Sequence, residues 1–317
     1  MRAARRVFES WRSASNDAAA LLRRLAIPCG LSPLDGVVMA RKDDERMLRR
    51  EHDARHEAGF NVAWLTRAEV QKLALWDATA GMKIRGGCSL DPYRACVGLA
   101  RAATKRRARI FERSSVRKVR FGQRDVEVTT DAATIRARIV VITTGSATQE
   151  FRTLRRHFRR RETYLVLTEP VPASMRKSLG KTPGTRGPTI SEARTPHHRL
   201  RWTADDRLLI GGAGQDETPE RLRDAALVQR TGQLMYELLM MYPAISGLKP
   251  EYGWELPYGR TADGLPYIGP HRNFPHHLFA LGGVGDSVSG AFLAARILVR
   301  AIQGSPDKAD DVFSWVR

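Results

Sequence analysis

The segment from Leu278 to Leu298 constrains the fold of this chain more than any other. An apolar run, Leu278-Phe279-Ala280-Leu281, is followed by the turn Gly282-Gly283-Val284-Gly285-Asp286 and by a helical pattern from about Ser287. A strand, a glycine-rich turn and a helix in this order direct backbone N–H groups and the positive end of a helix dipole at one place. The segment predicts a site for an anionic or electron-rich group, and close packing of a helix on a strand would require the same glycines.

Periodicity along the rest of the chain predicts a mixed α/β fold. Asp91-Pro92 places a cap residue before a proline at the first helical position, and Thr66 with Glu69 has the form of a capping box. Residues 139–143 begin with four consecutive apolar residues, 139–142, which is typical of a strand buried on both faces. Further strands are expected at 36–40, 109–112, 116–121, 126–130 and 134–138, with a hairpin at 200–203 and 207–210.

The charge balance makes nucleic acid a class of partner to consider. The net charge is +19, from 53 lysines and arginines against 34 aspartates and glutamates, and dense basic runs occur at 101–109 and 152–161. No aromatic stacking platform or helix-turn-helix spacing accompanies these runs. We therefore favour a solvated, arginine-rich surface and keep a nucleic-acid-binding protein as a third hypothesis.

Several other classes find no support in the sequence. No apolar run approaches the roughly 20 residues that span a bilayer. Cys29, Cys88 and Cys96 are odd in number and lack CxxC spacing, which indicates neither a disulfide framework nor a zinc knuckle. The histidine pairs 197–198 and 276–277 lack a third ligand at metal spacing, so we predict surface histidines and no metal. The basic start is not followed by a signal-peptide core, which favours a cytoplasmic protein.

One further segment resembles a known family. Trp254-Glu255-Leu256-Pro257-Tyr258-Gly259-Arg260-Thr261-Ala262-Asp263-Gly264-Leu265-Pro266-Tyr267-Ile268-Gly269-Pro270 closely resembles the Trp…Thr-x-Asp-Gly-Leu-Pro-x-Ile-Gly segment of the D-amino-acid oxidase (DAO) superfamily of FAD-dependent oxidoreductases. In that family the segment precedes the strand and helix that close over the flavin. Residues 86–94, 139–145 and 207–212 resemble further parts of the family, so the resemblance extends from the first helix to Gly304.

The resemblance implies an enzyme that oxidises a CH–NH group of an amine or amino acid by hydride transfer to FAD, with oxygen or a quinone as electron acceptor. It places Val116 at the adenine and Thr144 and Gly145 near the adenosine half. Gly282, Gly283, Val284, Gly285, Asp286 and Ser287 then face the flavin ring, where Asp286 departs from the small or amide residues of the family. Tyr258 and Arg260 are the expected substrate contacts, because Arg260 could clamp a carboxylate. A loop-stabilising Arg260 is an equal alternative.

One element of the family pattern is not found. The family begins with a strand, a Gly-x-Gly-x-x-Gly turn on the FAD pyrophosphate and a helix, and no segment before Gly30 has this form. Its loss would weaken FAD binding and expose a sheet edge. Met1 is then either a misplaced start or the start of a remnant, and an inactive remnant that acts at most as an interaction protein is the second hypothesis.

The predicted fold is α/β, a truncated Rossmann-like FAD-binding domain interleaved with an α+β substrate domain of mixed or antiparallel sheet. Residues 1–27, 85–149 and 260–317 are expected to form the remainder of the FAD-binding domain. Residues 28–84 and 150–259 are expected to form the substrate domain.

Overall fold

The computed structural model describes residues 2–74, 78–122, 124–179, 187–193, 198–283 and 288–317, and of Arg2 and Ala74 the backbone alone. The chain divides into two compact units, and each is assembled from segments that are distant in sequence. Unit 1 comprises Met1–Leu31, Leu90–Arg160 and Tyr258–Arg317, and unit 2 comprises Ser32–Ser89 and Arg161–Pro257.

Seven α-helices occur in the described residues. Their bounds are α1 Arg2–Arg24, α2 Glu45–Glu57, α3 Arg67–Ala74, α4 Pro92–Thr104, α5 Ala173–Ser178, α6 Arg223–Met241 and α7 Val288–Ile302. Short 3-10 helices lie at Lys42–Asp44, Gln149–His157, Glu220–Leu222, Pro243–Ile245 and Lys308–Phe313. None of the described helices is both long enough and apolar enough to cross a bilayer.

The predicted helix starts are confirmed by their hydrogen bonds. The Asp91 carboxylate accepts from the backbone N–H of Arg94 at 3.0 Å, and Pro92 occupies the first turn of α4. The Glu69 carboxylate accepts from the backbone N–H of Thr66 at 2.8 Å, and the Glu69 N–H donates to the Thr66 hydroxyl at 3.4 Å. Both pairs satisfy backbone donors that a helix start leaves without partners.

The described residues contain sixteen strands. They are β1 Ser32–Pro33, β2 Gly36–Ala40, β3 Val62–Thr66, β4 Ala80–Ile84, β5 Cys88–Ser89, β6 Val116–Phe121, β7 Val126–Thr130, β8 Thr134–Ala137, β9 Val140–Gly145, β10 Arg159–Thr168, β11 Thr189–Glu192, β12 Arg199–Trp202, β13 Leu208–Asp216, β14 Pro250–Arg260, β15 Tyr267–His271 and β16 Phe274–Leu281. The predicted hairpin is confirmed, since β12 and β13 pair antiparallel with Trp202 opposite Leu208.

Unit 1 contains two three-stranded sheets. In the first, β16 lies in the centre, antiparallel to β15 and parallel to β9. Apolar residues of α1, α7 and this sheet share one core, in which Ala14, Leu278, Leu293 and Phe313 are buried. The second sheet is the antiparallel meander β6-β7-β8.

Unit 2 is built on an eight-stranded sheet in the order β14-β10-β13-β12-β11-β2-β4-β3. The registered pairs are antiparallel except β11 with β2, which run parallel. Helix α6 buries Leu234 and Leu238 in the same core as Tyr164 and Ile210 of the sheet. The mixed α/β fold predicted from the sequence is confirmed, and both the eight-stranded sheet of unit 2 and the sheet β15-β16-β9 of unit 1 contain parallel and antiparallel pairs.

Two strand predictions need correction. Residues 109–112 do not form a strand, and they lie in an exposed connection between α4 and β6. Strand β9 exists but is not buried on both faces, because Val141 is 40% exposed. Successive side chains of a strand point to opposite faces, and on β9 Ile142 packs against the cluster of Phe151 and Phe279, whereas Val141 on the other face stays exposed.

Candidate functional site

The paired carboxyl ends of β9 and β16 form the centre of the candidate site. Gly145, the last residue of β9, lies opposite Leu281, the last residue of β16, and the two strands are parallel. The backbone N–H of Gly282 then donates to the carbonyl of Gly145 at 2.8 Å. In open sheets with parallel strands, ligands bind outside the carboxyl ends, and this edge of unit 1 has that arrangement.

A cluster of glycines, Gly145, Gly259, Gly282 and Gly283, surrounds these strand ends. The N–H of Gly283 donates to the carbonyl of Gly259 at 3.1 Å. A Cβ at Gly282 would lie 2.7 Å from Cε1 of Phe158 and 2.8 Å from Cγ2 of Thr261, and the φ of Gly282 is 75°. Both the conformation and the close approach require glycine there. Close packing, which the sequence analysis gave as a second reason for these glycines, therefore applies at Gly282.

Gly145 differs from its neighbours because its outer side is open. Its φ is 76°, and the position that a Cβ would take has no atom within 4 Å among the described residues. Thr144 and Gly145 are both exposed, and the Thr144 hydroxyl donates to the carbonyl of Ser146 at 2.9 Å. A planar ligand could therefore lie against the backbone at the end of β9, which is the property that a dinucleotide cofactor needs.

The loop from Thr261 to Pro266 is held by hydrogen bonds from inside unit 1. The buried Thr261 hydroxyl donates to the carbonyl of Leu265 at 2.8 Å, and the Leu265 N–H donates to Asp263 at 3.0 Å. The guanidinium of Arg317 donates to both oxygens of Asp263, at 2.7 and 3.2 Å. Partial burial alone would raise the pKa of Asp263, but the hydrogen bond from Arg317 and the Leu265 N–H outweigh it and lower that pKa. Asp263 therefore remains an anion that fixes this loop.

Aromatic rings pack behind the loop. Tyr267 stacks on Trp315 with ring centroids 4.5 Å apart, and the Arg317 guanidinium lies 3.9 Å from the centre of the Tyr267 ring. Phe158 contacts Tyr267 edge-on at 5.9 Å. These residues give the glycine cluster a rigid support. The sequence gave no signal that Arg317 or Trp315 belongs to this support.

The predicted site residues fall into three groups. Tyr258 and Arg260 flank Gly259 on β14, and alternation along a strand puts their side chains on the face opposite to the Gly145 side. Val116 lies on β6, in a different sheet from the glycine cluster. Val284, Gly285, Asp286 and Ser287 lie outside the described residues. The structure thus brings Thr144, Gly145, Gly282 and Gly283 together at the strand ends. It brings the backbone of β14 close to them at Gly259, but the side chains of Tyr258 and Arg260 lie on the other face of that strand.

Unit 2 contains a buried polar cluster that the sequence did not reveal. The Glu162 carboxylate is 1% exposed and accepts hydrogen bonds from the hydroxyls of Tyr164 and Thr218 and, at 2.8 Å, from the Gln215 amide. Burial alone would raise the pKa of Glu162, but these donors lower it to about 2. Strand β10 carries Glu162 and Tyr164 two residues apart on one face, a spacing that also fits an ordinary half-buried strand. Glu162 is therefore a fixed anion inside unit 2.

The prediction that the histidine pairs are surface residues is wrong for two of their members. His198 bridges two carboxylates, with Nδ1 2.7 Å from Glu192 and Nε2 2.8 Å from Glu237. His277 is buried, and its Nδ1 lies 2.9 Å from the carbonyl of Pro275. His197 lies outside the described residues. No group of three metal-ligating side chains is found in the part of the chain that the structure describes.

Comparison with known families and sequences gives a consistent picture. The family model "DAO: FAD dependent oxidoreductase" matches residues 2–301. Over 255 residues the chain is 26% identical to "Probable oxidoreductase OrdL" of Haemophilus influenzae, which covers 75% of this chain and 56% of that relative. It is 26% identical over 276 residues to "Glycine oxidase" of Bacillus licheniformis, covering 82% of this chain and 68% of that one. The chain therefore spans little more than half the length of the first of these relatives.

Solved structures show the same fold. Glycine oxidase from Geobacillus kaustophilus superposes with a TM-score of 0.80 at 21% identity, covering 98% of this chain and 82% of that chain. L-proline dehydrogenase from P. horikoshii superposes with a TM-score of 0.75 at 16% identity, covering 93% of this chain and 79% of that chain. At these identities the likeness establishes the architecture alone.

Proposed function

We propose, since the chain belongs to the DAO family of FAD-dependent oxidoreductases, that it oxidises a CH–NH group of an amine or amino acid with FAD as cofactor. The observation that carries the proposal is the open backbone of Gly145 beside the glycine turn at the paired ends of β9 and β16. Relatives described as glycine oxidases support a small amino acid as the substrate class.

The residues at the strand ends fit such a cofactor. We assign Thr144 and Gly145 to the adenosine half, Val116 to the adenine, and Gly282 and Gly283 with Val284, Gly285, Asp286 and Ser287 to the flavin ring. Bound FAD would supply the two-electron acceptor for the hydride on the carbon that carries the nitrogen. Unit 1 would then be the cofactor-binding part, corresponding to the predicted 1–27, 85–149 and 260–317, and unit 2 the substrate part, corresponding to 28–84 and 150–259.

The chain's own groups would bind and orient the substrate. Arg260 is exposed on β14 and can pair with a substrate carboxylate through two parallel N–H donors, while Tyr258 offers a hydroxyl from the same strand face. Hydride loss from the carbon leaves an imine that water hydrolyses to a carbonyl and ammonia or an amine. Oxygen or a quinone would take the electrons. The three cysteines are free, which favours a location in the cytoplasm.

The first test is FAD binding, read from the visible absorbance of the purified chain with and without added FAD. Gly145→Asn puts a side chain on the open face, and asparagine tolerates a positive φ. We expect FAD to bind about tenfold more weakly, which corresponds to about 1.4 kcal/mol. Gly304→Asn is the matched control, because Gly304 has a φ of 69°, a Cβ there would have no atom within 4 Å, and the residue lies in the turn after α7.

Two results would overturn the proposal. A chain that takes up no FAD is not a flavoenzyme as it stands, and equal affinities of the Gly145 and Gly304 variants would place the cofactor elsewhere. If FAD binds, Arg260→Gln should raise the KM for glycine-like substrates and leave that for amines without a carboxylate unchanged. An equal effect on both substrate classes would assign Arg260 to the loop.

A further inference from the structure

Helix α6 carries three polar side chains along the side where it meets the sheet of unit 2. Arg230, Gln233 and Glu237 are spaced by three and four residues, which places them on one stripe of the helix. All three are half-buried, beside the buried Leu234 and Leu238 of the core. Polar groups in such a position need partners within the protein, and these three have them.

Arg230 occupies the centre of a continuous chain of hydrogen bonds. Its Nη1 donates to Oε1 of Gln233 at 2.6 Å, and its Nη2 donates to Oε1 of Gln215 on β13. Each glutamine then donates from its amide nitrogen to a carboxylate, Gln233 to Glu237 at 2.9 Å and Gln215 to Glu162 at 2.8 Å. Since a guanidinium only donates, Arg230 fixes the direction of both amides. The two carboxylates are thereby joined through one arginine.

His198 continues this chain beyond Glu237. Its Nε2 lies 2.8 Å from the Glu237 carboxylate, its Nδ1 lies 2.7 Å from the carboxylate of Glu192 on β11, and its backbone N–H donates to Glu192 at 3.2 Å. Arg41 lies 3.5 Å from Glu192 on the side of β2. On the side of β13 the ring faces Gly212, where a Cβ would lie 2.9 Å from its Cδ2. The ring therefore has little room to turn away from the two carboxylates.

The two carboxylate contacts of His198 require two ring protons. An ionised carboxylate only accepts hydrogen bonds, so both ring nitrogens donate, and only the charged imidazolium can do this. A neutral ring keeps one N–H and turns a lone pair towards the other carboxylate. Glu192 retains the backbone N–H of His198, and its side chain is 17% exposed against 27% for Glu237. Glu237 is therefore the carboxylate that turns to water when the proton leaves.

We propose that His198, Glu192 and Glu237 form a pH-sensitive switch, in which loss of one proton from His198 releases Glu237 and loosens α6 from the antiparallel pair β11–β12. Burial alone would lower the pKa of His198, but the hydrogen bonds to the two carboxylates raise it. The proton therefore leaves above about pH 6.5. Each residue of the switch belongs to unit 2, and the proposal does not rest on the redox function.

The hydrogen-bond chain carries the release of Glu237 further along α6. Without Glu237 as acceptor the amide of Gln233 can rotate, and Arg230 then loses the fixed acceptor that holds one end of its guanidinium. Its other end orients Gln215, which donates to the buried Glu162. We therefore expect the strands β10 and β13 to respond to the same proton as α6.

The test is hydrogen–deuterium exchange of the full chain between about pH 5.5 and about pH 9, a range that includes the ordinary histidine pKa. Mass spectrometry reads the exchange, with labelling times scaled to the intrinsic exchange rate at each pH. Peptides from α6 and β11–β12 should lose protection about tenfold at the alkaline end, and those from β10 and β13 should follow. Peptides from α1 should keep their protection, which separates release of α6 from unfolding of the whole chain.

Variants separate the switch from other effects of pH. His198→Gln and Glu237→Gln should each give α6 the same protection at every pH, whereas His56→Gln, at an exposed histidine of α2, should respond as the wild type does. Arg230→Gln should keep the response of α6 and abolish that of β10. Arg221→Gln, at an exposed arginine just before α6, is its matched control and should keep both responses.

Three results would overturn the proposal. The first is a wild-type chain in which the protection of α6 does not change with pH, and this comparison decides even where a variant fails to fold. The second is a pH response of α6 that persists in His198→Gln. The third is a response of β10 that persists in Arg230→Gln, which would refute the connection through that arginine.

Discussion

At the scale of single residues, Gly282 in the turn after β16 must be glycine for two separable reasons, its backbone conformation and the close approach of its neighbours. Gly282 and Gly264 have the same φ of 75°, but a Cβ at Gly282 would clash with Phe158 and Thr261, whereas one at Gly264 would meet no atom within 4 Å. Gly264→Ala should therefore cost about 1–2 kcal/mol for the left-handed backbone alone. Gly282→Ala should cost about 1–3 kcal/mol more, because the neighbours must move.

Thermal or denaturant unfolding of the two variants measures this difference directly. Phe158 and Thr261 are buried or partly buried in unit 1, so little room exists for them to retreat. Equal destabilisation by the two alanines would show that the packing around Gly282 is loose. The close approach of the turn to Thr261 would then add nothing to the loss of unfolding free energy. Phe158→Leu should partly rescue Gly282→Ala, since it removes the nearest ring atom.

What the sequence could reveal at this scale was local. The Asp91 and Thr66 caps could be predicted because their partners lie three residues away. The Gly282-Gly283 turn could be predicted from its glycines, whereas its backbone partners, Gly145 and Gly259, are distant in the sequence. The pairing of Arg317 with Asp263 joins residues 54 positions apart, and His198 meets Glu237 across 39. Nothing in the residue types or their spacing distinguishes such pairs from surface charges, so the support of the site and the polar clusters of unit 2 could not be foreseen.

At the scale of elements, the side chain of His198 links the end of β11 to α6. His198 itself is the residue directly before β12. Its ring contacts Glu192 on β11 and Glu237 on α6; Arg41 lies 3.5 Å from Glu192, and Gln233 donates to Glu237 at 2.9 Å. Burial alone would lower the pKa of His198, but its hydrogen bonds to the two carboxylates raise it above the ordinary value. Since a β-sheet and a helix meet here, the charge on one ring affects three elements.

The sign of the pH dependence follows from the raised pKa of His198 in the folded chain. Its contribution to stability is complete below the ordinary histidine pKa of about 6.5 and is lost as pH rises through the higher folded value. The difference in unfolding free energy between the wild type and His198→Gln should therefore be about 1–3 kcal/mol at pH 6 and smaller at alkaline pH. His56→Gln, at an exposed histidine of α2, controls for the loss of an imidazole elsewhere in unit 2. A difference that grows with pH would contradict the charged bridge.

Element order and class could be predicted well, and the environment of one element could not. The structure contains the predicted helices α1, α2, α4 and α6 and the predicted hairpin. Their periodicity and alternation are reliable signals because they reflect which face of an element is buried. Residues 139–143 were predicted to form a strand buried on both faces because residues 139–142 are all apolar, but burial depends on what packs against each face of the strand. On β9 one face carries Ile142 into an apolar cluster, and Val141 on the other face remains exposed.

At the scale of the whole molecule, the net charge of +19 is a property of unit 1 more than of the chain. A unit that holds 30 basic against 13 acidic side chains repels itself at low ionic strength. Its surface ion pairs, such as Arg117 with Asp131 and Arg120 with Glu127, offset little of this repulsion, because water and salt screen charges at the surface. Repulsion should therefore dominate the response of the chain to salt.

We accordingly expect the thermal unfolding midpoint to rise when sodium chloride increases from about 0.01 M to about 0.15 M, as the Debye length falls from about 30 Å to about 8 Å. The variant that changes Arg106, Arg107 and Arg109 to glutamine removes three of these charges from one exposed loop. It should unfold at a higher temperature than the wild type at low salt and at nearly the same temperature at physiological salt. A midpoint that falls with salt would mean that ion pairs outweigh repulsion, and the arginines of unit 1 would then stabilise the fold that carries them.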